Sequence, residues 1–208
     1  MLKEYLKNNY AFNEPIFISE IQLDGMGDNT LRQTFKRMVQ NGELNRFDTG
    51  IYYFPAPSRL LKKSYLDPVK VIVRKYIKNE QNVYGYFSGA TFANQIGLTS
   101  QMPGTLEIVT MKESTKGRDV QIGSQSLRLK RSPIEINKEN CGLLQFLTMV
   151  AQAEKYSELS EIETIALLRN YARKQSYSQS LLHSVLSAIS GSTAKKLIEW
   201  GIIYEFAS

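Results

Sequence analysis

Long polar and basic side chains recur at short intervals between positions 28 and 55, in the stretch DNTLRQTFKRMVQNGELNRFDTGIYYFP. Arginine can donate paired hydrogen bonds to O6 and N7 of guanine, and glutamine can pair with N6 and N7 of adenine. Lysine and arginine also neutralise phosphates. The residue types therefore favour recognition of double-stranded DNA. The candidate contacts from this first part of the stretch are Asn29, Thr30, Arg32, Gln33, Lys36 and Arg37.

One amphipathic helix is predicted to present these side chains. Asp28 is the expected N-cap, and Asn41-Gly42 is a typical C-terminal stop. At about 100° per residue, the apolar side chains share one face of this helix; they are Leu31, Phe35, Met38 and Val39. The polar side chains lie largely opposite, with Arg37 at the flank; they are Asn29, Arg32, Gln33, Lys36 and Gln40.

A tight hairpin is predicted directly after this helix. The segments ELNRF and IYYFP are strand-like, and Gly50 between them can take the positive φ of a tight turn. Arg46 and Thr49 are then near the tip of the hairpin, where they become further candidate DNA contacts. A polar helix face alone is more often solvated surface than a binding site. It is the order of the elements that favours DNA recognition.

Two further helices are predicted upstream. Leu2, Tyr5 and Leu6 have helical spacing, and Ser19 is the expected N-cap of a short helix, EIQLDG. Helix, short helix, amphipathic helix and hairpin together form the pattern of a winged helix-turn-helix. The second helix of the helix-turn-helix pair, here the amphipathic helix, enters the major groove. In this arrangement Ser19 is also a candidate contact to the phosphate backbone.

The segment PAPSRLLKKSYLDP is predicted to be a connector, followed by a helix over DPVKVIVRKYIKNEQ with Pro68 in its first turn. Its predicted buried residues are Val69, Ile72, Val73, Tyr76 and Ile77. Lys70, Arg74 and Lys78 recur every four residues and so form a positive stripe. This stripe is a candidate contact to phosphates; the alternative is a solvated helix face.

The second half predicts a helix on a small sheet, followed by helices. Val83 to Phe87 is strand-like, Ser88 can cap a helix, and Gly97 can end it. Later strand-like pieces, separated by turn signals, favour a small antiparallel sheet. The predicted fold class is therefore α+β. It comprises a winged helix-turn-helix domain over residues 1–60 and a mixed domain with C-terminal helices over residues 64–208.

The composition argues against several functional classes. One cysteine and one histidine in 208 residues exclude a disulfide within the chain and the usual zinc sites. No secretory signal or bilayer-spanning apolar run is recognisable, so we expect a cytoplasmic protein without a membrane partner. No phosphate-binding loop, dinucleotide fingerprint or catalytic constellation is found, and Ser88 lacks the G-x-S-x-G elbow. We expect no catalytic residue, no metal and no cofactor.

Two segments resemble a known family, the AbiEi antitoxins of bacterial abortive-infection (type IV toxin–antitoxin) systems. The helix and hairpin end in G-x-L-x-R-x-x-x-G-I-Y, formed by Gly42, Leu44, Arg46, Gly50, Ile51 and Tyr52. The second segment, S-G-A…G-L-T-x-Q-x-P, is formed by Ser88, Gly89, Ala90, Gly97, Leu98, Thr99, Gln101 and Pro103. The resemblance covers nearly the whole chain.

The resemblance implies an antitoxin that represses its own operon. Its winged domain would bind inverted repeats in the promoter. The second domain would take part in DNA binding and counter a nucleotidyltransferase-like toxin without forming a stable complex with it. Two alternatives remain. One is a nucleic-acid-modifying enzyme that its winged domain targets to DNA. The other is a ligand-sensing regulator, in which a small molecule would raise the melting temperature.

Overall fold

The computed structural model describes residues 1–57, 64–114 and 117–206. Two compact units are present: Met1–Arg74 with Ile122–Ser124, and Lys75–Gln121 with Gln125–Ser208. The first predicted domain ends at residue 60, which lies in the segment 58–63, outside the described residues. The fold class is α+β, as the sequence predicts.

The first unit contains three helices and a three-stranded antiparallel sheet in its described part. The elements are α1 (Leu2–Asn9), β1 (Ile16–Phe17), a 3₁₀ turn (Ile18–Glu20), α2 (Asp28–Gln40), β2 (Asn45–Asp48), β3 (Ile51–Tyr53) and α3 (Pro68–Ile72). The strand order is β1-β3-β2, so the hairpin β2–β3 gains a third strand from the segment before α2.

Helix α2 forms where the sequence predicts it because its apolar residues recur with helical spacing. Leu31, Phe35 and Met38 are buried in the core of the first unit, and Val39 packs partly buried beside them. The Phe35 ring is fully buried, with its centre 4.8 Å from that of Tyr52 on the hairpin. Burying an aromatic ring of this size contributes about 1.5–3 kcal/mol. This packing fixes which face of α2 remains exposed.

The predicted second helix, EIQLDG, is wrong. A single 3₁₀ turn, Ile18–Glu20, takes its place, and Ser19 lies inside this turn instead of capping a helix. The chain then continues through Gly25, whose φ of 77° is incompatible with a right-handed helix. So short a segment gains too few hydrogen bonds to offset the cost of helix nucleation. The N-cap of α2 is Gly27, and Asp28 is the first helical residue.

Helix α3 is shorter than predicted. Asp67 caps it by accepting a 2.9 Å hydrogen bond from the backbone N–H of Val69, and Pro68 occupies its first turn as expected. A π-helical turn, Val73–Ile77, follows directly. The helical segment therefore ends at Ile77, four residues before the predicted end at Gln81. The wider turn shifts the apolar face. Val71 is buried, whereas Val69 is 38% exposed and Val73 is only partly buried, so the predicted burial of Val69 and Val73 is wrong.

The second unit is built on a four-stranded mixed sheet. Its first part contains β4 (Gly85–Ser88), α4 (Gly89–Ile96), β5 (Thr105–Thr110), β6 (Arg118–Ile122) and β7 (Gln125–Arg131). The strand order is β4-β5-β7-β6. The predicted antiparallel sheet is wrong for one pair, since β5 and β7 run parallel. β7 lies between β5 and β6, which places its sequence neighbour β6 at the edge.

Four α-helices complete the described part of the second unit: α5 (Cys141–Tyr156), α6 (Glu161–Gln175), α7 (Gln179–Ser184) and α8 (Gly191–Glu199). A capping box starts α6. Ser160 Oγ accepts a hydrogen bond from the N–H of Glu163, whose carboxylate accepts one from the N–H of Ser160. Residues of α5 such as Leu143 and Phe146 are fully buried in the core.

Candidate nucleic-acid interface

A groove of about 380 Å³ lies between α2 and the β2–β3 hairpin of the first unit. We call it the cationic groove; its polar and aromatic lining comprises Arg32, Lys36, Gln40, Arg46, Thr49 and Tyr52. Arg32, Lys36 and Gln40 follow one another at intervals of four residues, so they form one stripe along α2. Arg46 pairs with Tyr52 across the hairpin, so both residues belong to the wall opposite this stripe.

The hairpin turn holds Arg46 in a defined position. Its Nε donates to the backbone oxygen of Asp48 at 3.3 Å, and its Nη2 donates to Thr49 Oγ1 at 3.0 Å. The N–H of Thr49 donates in turn to the Asp48 carboxylate at 2.6 Å. Gly50 supplies the positive φ of 73° that closes the turn. The guanidinium therefore faces the groove with part of its rotational freedom already removed.

The electrostatic character of the groove follows from three cations, Arg32, Lys36 and Arg46. No carboxylate lines the groove, and none of the three forms an ion pair, within the part of the chain that the structure describes. Three like charges on one concave surface repel one another, and an anion placed between them relieves this repulsion. The geometry therefore favours a negatively charged ligand.

The rest of the exposed face of α2 does not line the groove. Asn29 and Gln33 are exposed and do not line the groove. Arg37 is exposed on the far flank, where its Nη2 makes a long 3.5 Å contact with Thr34 Oγ1. Thr30 is exposed near the start of the helix, and its backbone oxygen accepts from Thr34 Oγ1 at 2.8 Å.

All eight predicted DNA contacts are thus exposed, but the structure separates them into two sets. Arg32, Lys36, Arg46 and Thr49 line the groove, whereas Asn29, Thr30, Gln33 and Arg37 do not. The sequence prediction did not include Tyr52 or Gln40 among the site residues. The alternation of strand β3 could have identified Tyr52, because it lies between the buried Ile51 and Tyr53 and so faces the other way.

None of the four candidate phosphate contacts is among the residues that line the groove. Ser19 is exposed on the 3₁₀ turn, and Lys70 is exposed on α3. Arg74 is partly buried and forms an ion pair with Glu20, with Nη2 and Oε2 3.1 Å apart. Lys78 is exposed and belongs to the second unit. Because a π-helical turn interrupts the 3.6-residue period, these lysines and Arg74 do not continue one regular α-helical stripe.

Comparison with protein families adds one finding. Residues 9–175 match the model of DUF6088, a family of unknown function. The chain belongs to DUF6088. No curated protein matches the chain significantly. The DUF6088 match contains the whole cationic groove and ends with the last residue of α6.

The DUF6088 region also contains the S-G-A segment at the start of α4. Ser88 is the N-cap, as predicted, but its Oγ is buried and makes no hydrogen bond to the described residues. Gly89 has a φ of 56°, and the Glu107 carboxylate lies directly against its Cα. A protein carboxylate therefore already occupies the positive end of the α4 dipole.

Glu107 is held there by two strong hydrogen bonds. Lys130 Nζ donates to Oε2 at 2.7 Å, and the Tyr156 hydroxyl donates to Oε1 at 2.6 Å. Burial alone would raise the pKa of Glu107, but the bonds from Lys130 and Tyr156 outweigh it and leave the pKa below its ordinary value. The S-G-A segment of this DUF6088 member thus has a structural explanation, the anchoring of α4 to β5.

Cys141 and His183 also carry chemically reactive groups. The Cys141 thiol is half-buried and donates to the backbone oxygen of Gly85 at 3.5 Å, and burial raises its pKa to about 11. His183 is exposed. The described residues contain no group of three or more His, Cys, Asp or Glu side chains placed to hold a metal. In the described ranges, no helix combines the length and apolar character needed to cross a bilayer.

Proposed function

We propose that this DUF6088 protein binds double-stranded DNA through a winged helix-turn-helix in its first unit and represses its own operon. The observation that carries the proposal is the groove lined by Arg32, Lys36 and Arg46 beside a helix that exposes Asn29 and Gln33. Cations supply affinity for the phosphate backbone, and amides supply base recognition. Both components are needed for a sequence-specific DNA-binding protein.

The dimensions of the elements support this proposal. Helix α2 has 13 residues and is therefore about 20 Å long, and the major groove is about 12 Å wide and accepts an α-helix. The β2–β3 hairpin follows after a four-residue connection and takes the place of the wing. The 3₁₀ turn Ile18–Glu20 takes the place of the first helix of a helix-turn-helix, and it is shorter than that helix normally is. Recognition then depends mainly on α2 and the hairpin.

Gln33 is the residue that we expect to discriminate most between DNA sequences. It lies near the centre of the exposed face of α2, opposite the buried residues Leu31 and Phe35. A bidentate contact of glutamine to adenine provides about 1–3 kcal/mol of discrimination. Gln33→Ala should therefore weaken binding to the promoter repeat by roughly 5- to 150-fold and leave binding to random duplex nearly unchanged.

Fluorescence anisotropy with promoter and scrambled duplexes measures both affinities. Gln22→Ala is the matched control, because Gln22 is an exposed glutamine of the same unit outside α2. It should change neither affinity. Equal effects of Gln33→Ala on both duplexes would remove base recognition from Gln33.

The second part of the proposal is that the protein counters a toxin. It is supported by the resemblance of the segment from Ser88 to Pro103 to antitoxins. Co-expression with the gene adjacent in the operon should rescue growth, and Gly89→Ala, which destabilises the second unit, should reduce this rescue. Full rescue by a variant whose second unit is unfolded would contradict this assignment.

A further inference from the structure

We infer that the cationic groove is a clamp for one backbone phosphate, and that Arg32 and Lys36 provide affinity without reading base sequence. This inference rests on the proposed binding of duplex DNA. It divides the polar face of α2 into two functions. The clamp residues are Arg32, Lys36 and Arg46, and the base-reading residues are Asn29 and Gln33.

The position of Arg32 and Lys36 on the helix is the first argument. At about 100° per residue, Gln33 lies opposite the buried face, whereas Arg32 and Lys36 lie toward the side of Val39. Val39 is partly buried and lines the groove beside the hairpin. When the exposed centre of α2 faces base edges, these two cations therefore face the adjacent sugar-phosphate strand.

The wing provides the second argument. Arg46 is held by Asp48 and Thr49 at the groove wall opposite Lys36. These bonds use its Nε and Nη2, so the hydrogens of Nη1 point elsewhere and can reach a ligand. A phosphate has acceptor oxygens on several sides, so it can accept from the helix and from the wing together. A planar base edge cannot satisfy cations that approach from two opposite walls.

The electrostatics provide the third argument. None of the three cations forms an ion pair in the described parts of the chain, and the Asp48 carboxylate, on the same turn as Arg46, binds the N–H of Thr49 instead. The groove volume of about 380 Å³ accommodates a phosphate with its neighbouring sugar. Arg74, in contrast, is already paired with Glu20 and is less suited to this role.

The clamp is tested by a double-mutant cycle that combines protein variants with duplexes in which one phosphate is replaced by an uncharged analogue. Promoter duplexes that carry one methylphosphonate at successive backbone positions are titrated with wild type, Arg46→Met and Lys36→Met. We expect one position in each half-site at which neutralisation weakens wild-type binding about tenfold. At that position, neutralisation should weaken binding of the variants by less than about twofold, since they no longer hold this phosphate.

Two further readouts distinguish a clamp from base reading. Arg32→Met, Lys36→Met and Arg46→Met should weaken promoter and random duplexes equally, and should reduce the salt slope by about 0.9 for each phosphate that the variant no longer neutralises. Lys7→Met is the control, because Lys7 is exposed on α1 and lies outside the groove. It should leave the position dependence of the methylphosphonates unchanged. Thermal unfolding confirms that each variant remains folded.

The possible outcomes distinguish failure of the clamp from failure of the proposed function. If wild type binds the promoter but no methylphosphonate position couples to Arg46 or Lys36, the clamp is wrong and the proposed function stands. If Arg32→Met reduces discrimination as Gln33→Ala does, Arg32 reads bases and the clamp is again wrong. If wild type binds no duplex, both the clamp and the proposed function are wrong.

Discussion

Replacing Gly89 by alanine is expected to lower the free energy of unfolding of the second unit by roughly 3 kcal/mol or more. Gly89 has a φ of 56°, which costs an L-residue about 1 kcal/mol or more. The new Cβ would also occupy the space of the Glu107 carboxylate. Moving this carboxylate breaks its bonds to Lys130 and Tyr156, and each bond to a charged group contributes about 1.5–3 kcal/mol.

Urea titration of the full chain measures this destabilisation. Gly191→Ala is the matched control, because a Cβ at Gly191 meets nothing within 4 Å and its φ is ordinary. It should leave the midpoint unchanged or raise it. In a Glu107→Ala background, the added cost of Gly89→Ala should fall to the strain of the positive φ alone. An equal cost in both backgrounds would show that Glu107 is not the cause.

Phe35→Ala is expected to destabilise the first unit by about 3–5 kcal/mol and to abolish sequence-specific DNA binding. The Phe35 side chain is fully buried and contacts Tyr52, so it joins α2 to the hairpin. Its removal leaves a cavity between the two elements that line the cationic groove. We therefore expect loss of binding even at temperatures at which the chain remains folded.

Circular dichroism during thermal unfolding and anisotropy with the promoter duplex test this prediction. Phe12→Ala is the matched control, since Phe12 belongs to the same unit and its side chain is 63% exposed. It should cost less than about 0.5 kcal/mol, as surface substitutions usually do. A Phe35→Ala protein that retains wild-type stability would show that α2 does not pack as described.

The elements that the sequence predicts well are those with long, regular patterns. Helix α2 is confirmed at both ends to within one residue because its apolar spacing is continuous and Asn41-Gly42 stops it. The failures lie where the helical pattern is short or changes its period. The short helix at Ser19 is reduced to one 3₁₀ turn, and the helix beginning at Pro68 changes to a π-helical turn after Ile72. Gly25 is a local signal of the first change, because its positive φ ends a right-handed helix, whereas the second change has no local sequence signal.

The candidate site was predictable in its residue types and not in its geometry. Helical spacing predicts that Arg32 and Gln33 are both exposed. It does not predict that the hairpin stands beside Arg32, because this depends on the contact of Phe35 with Tyr52. The same limit applies to Gly89. The carboxylate that requires a glycine there comes from Glu107, 18 positions later, through the pairing of β4 with β5.

The most direct test of the proposed function is the ratio of two affinities of the wild-type protein. The full chain is titrated by fluorescence anisotropy, at one fixed salt concentration, with the duplex from upstream of its gene and with a scrambled duplex of equal length and composition. Specific DNA-binding proteins prefer their sites by about 10³-fold or more, and we predict a ratio of this size. Equal affinities for the two duplexes, or no binding to either, would contradict the proposed function.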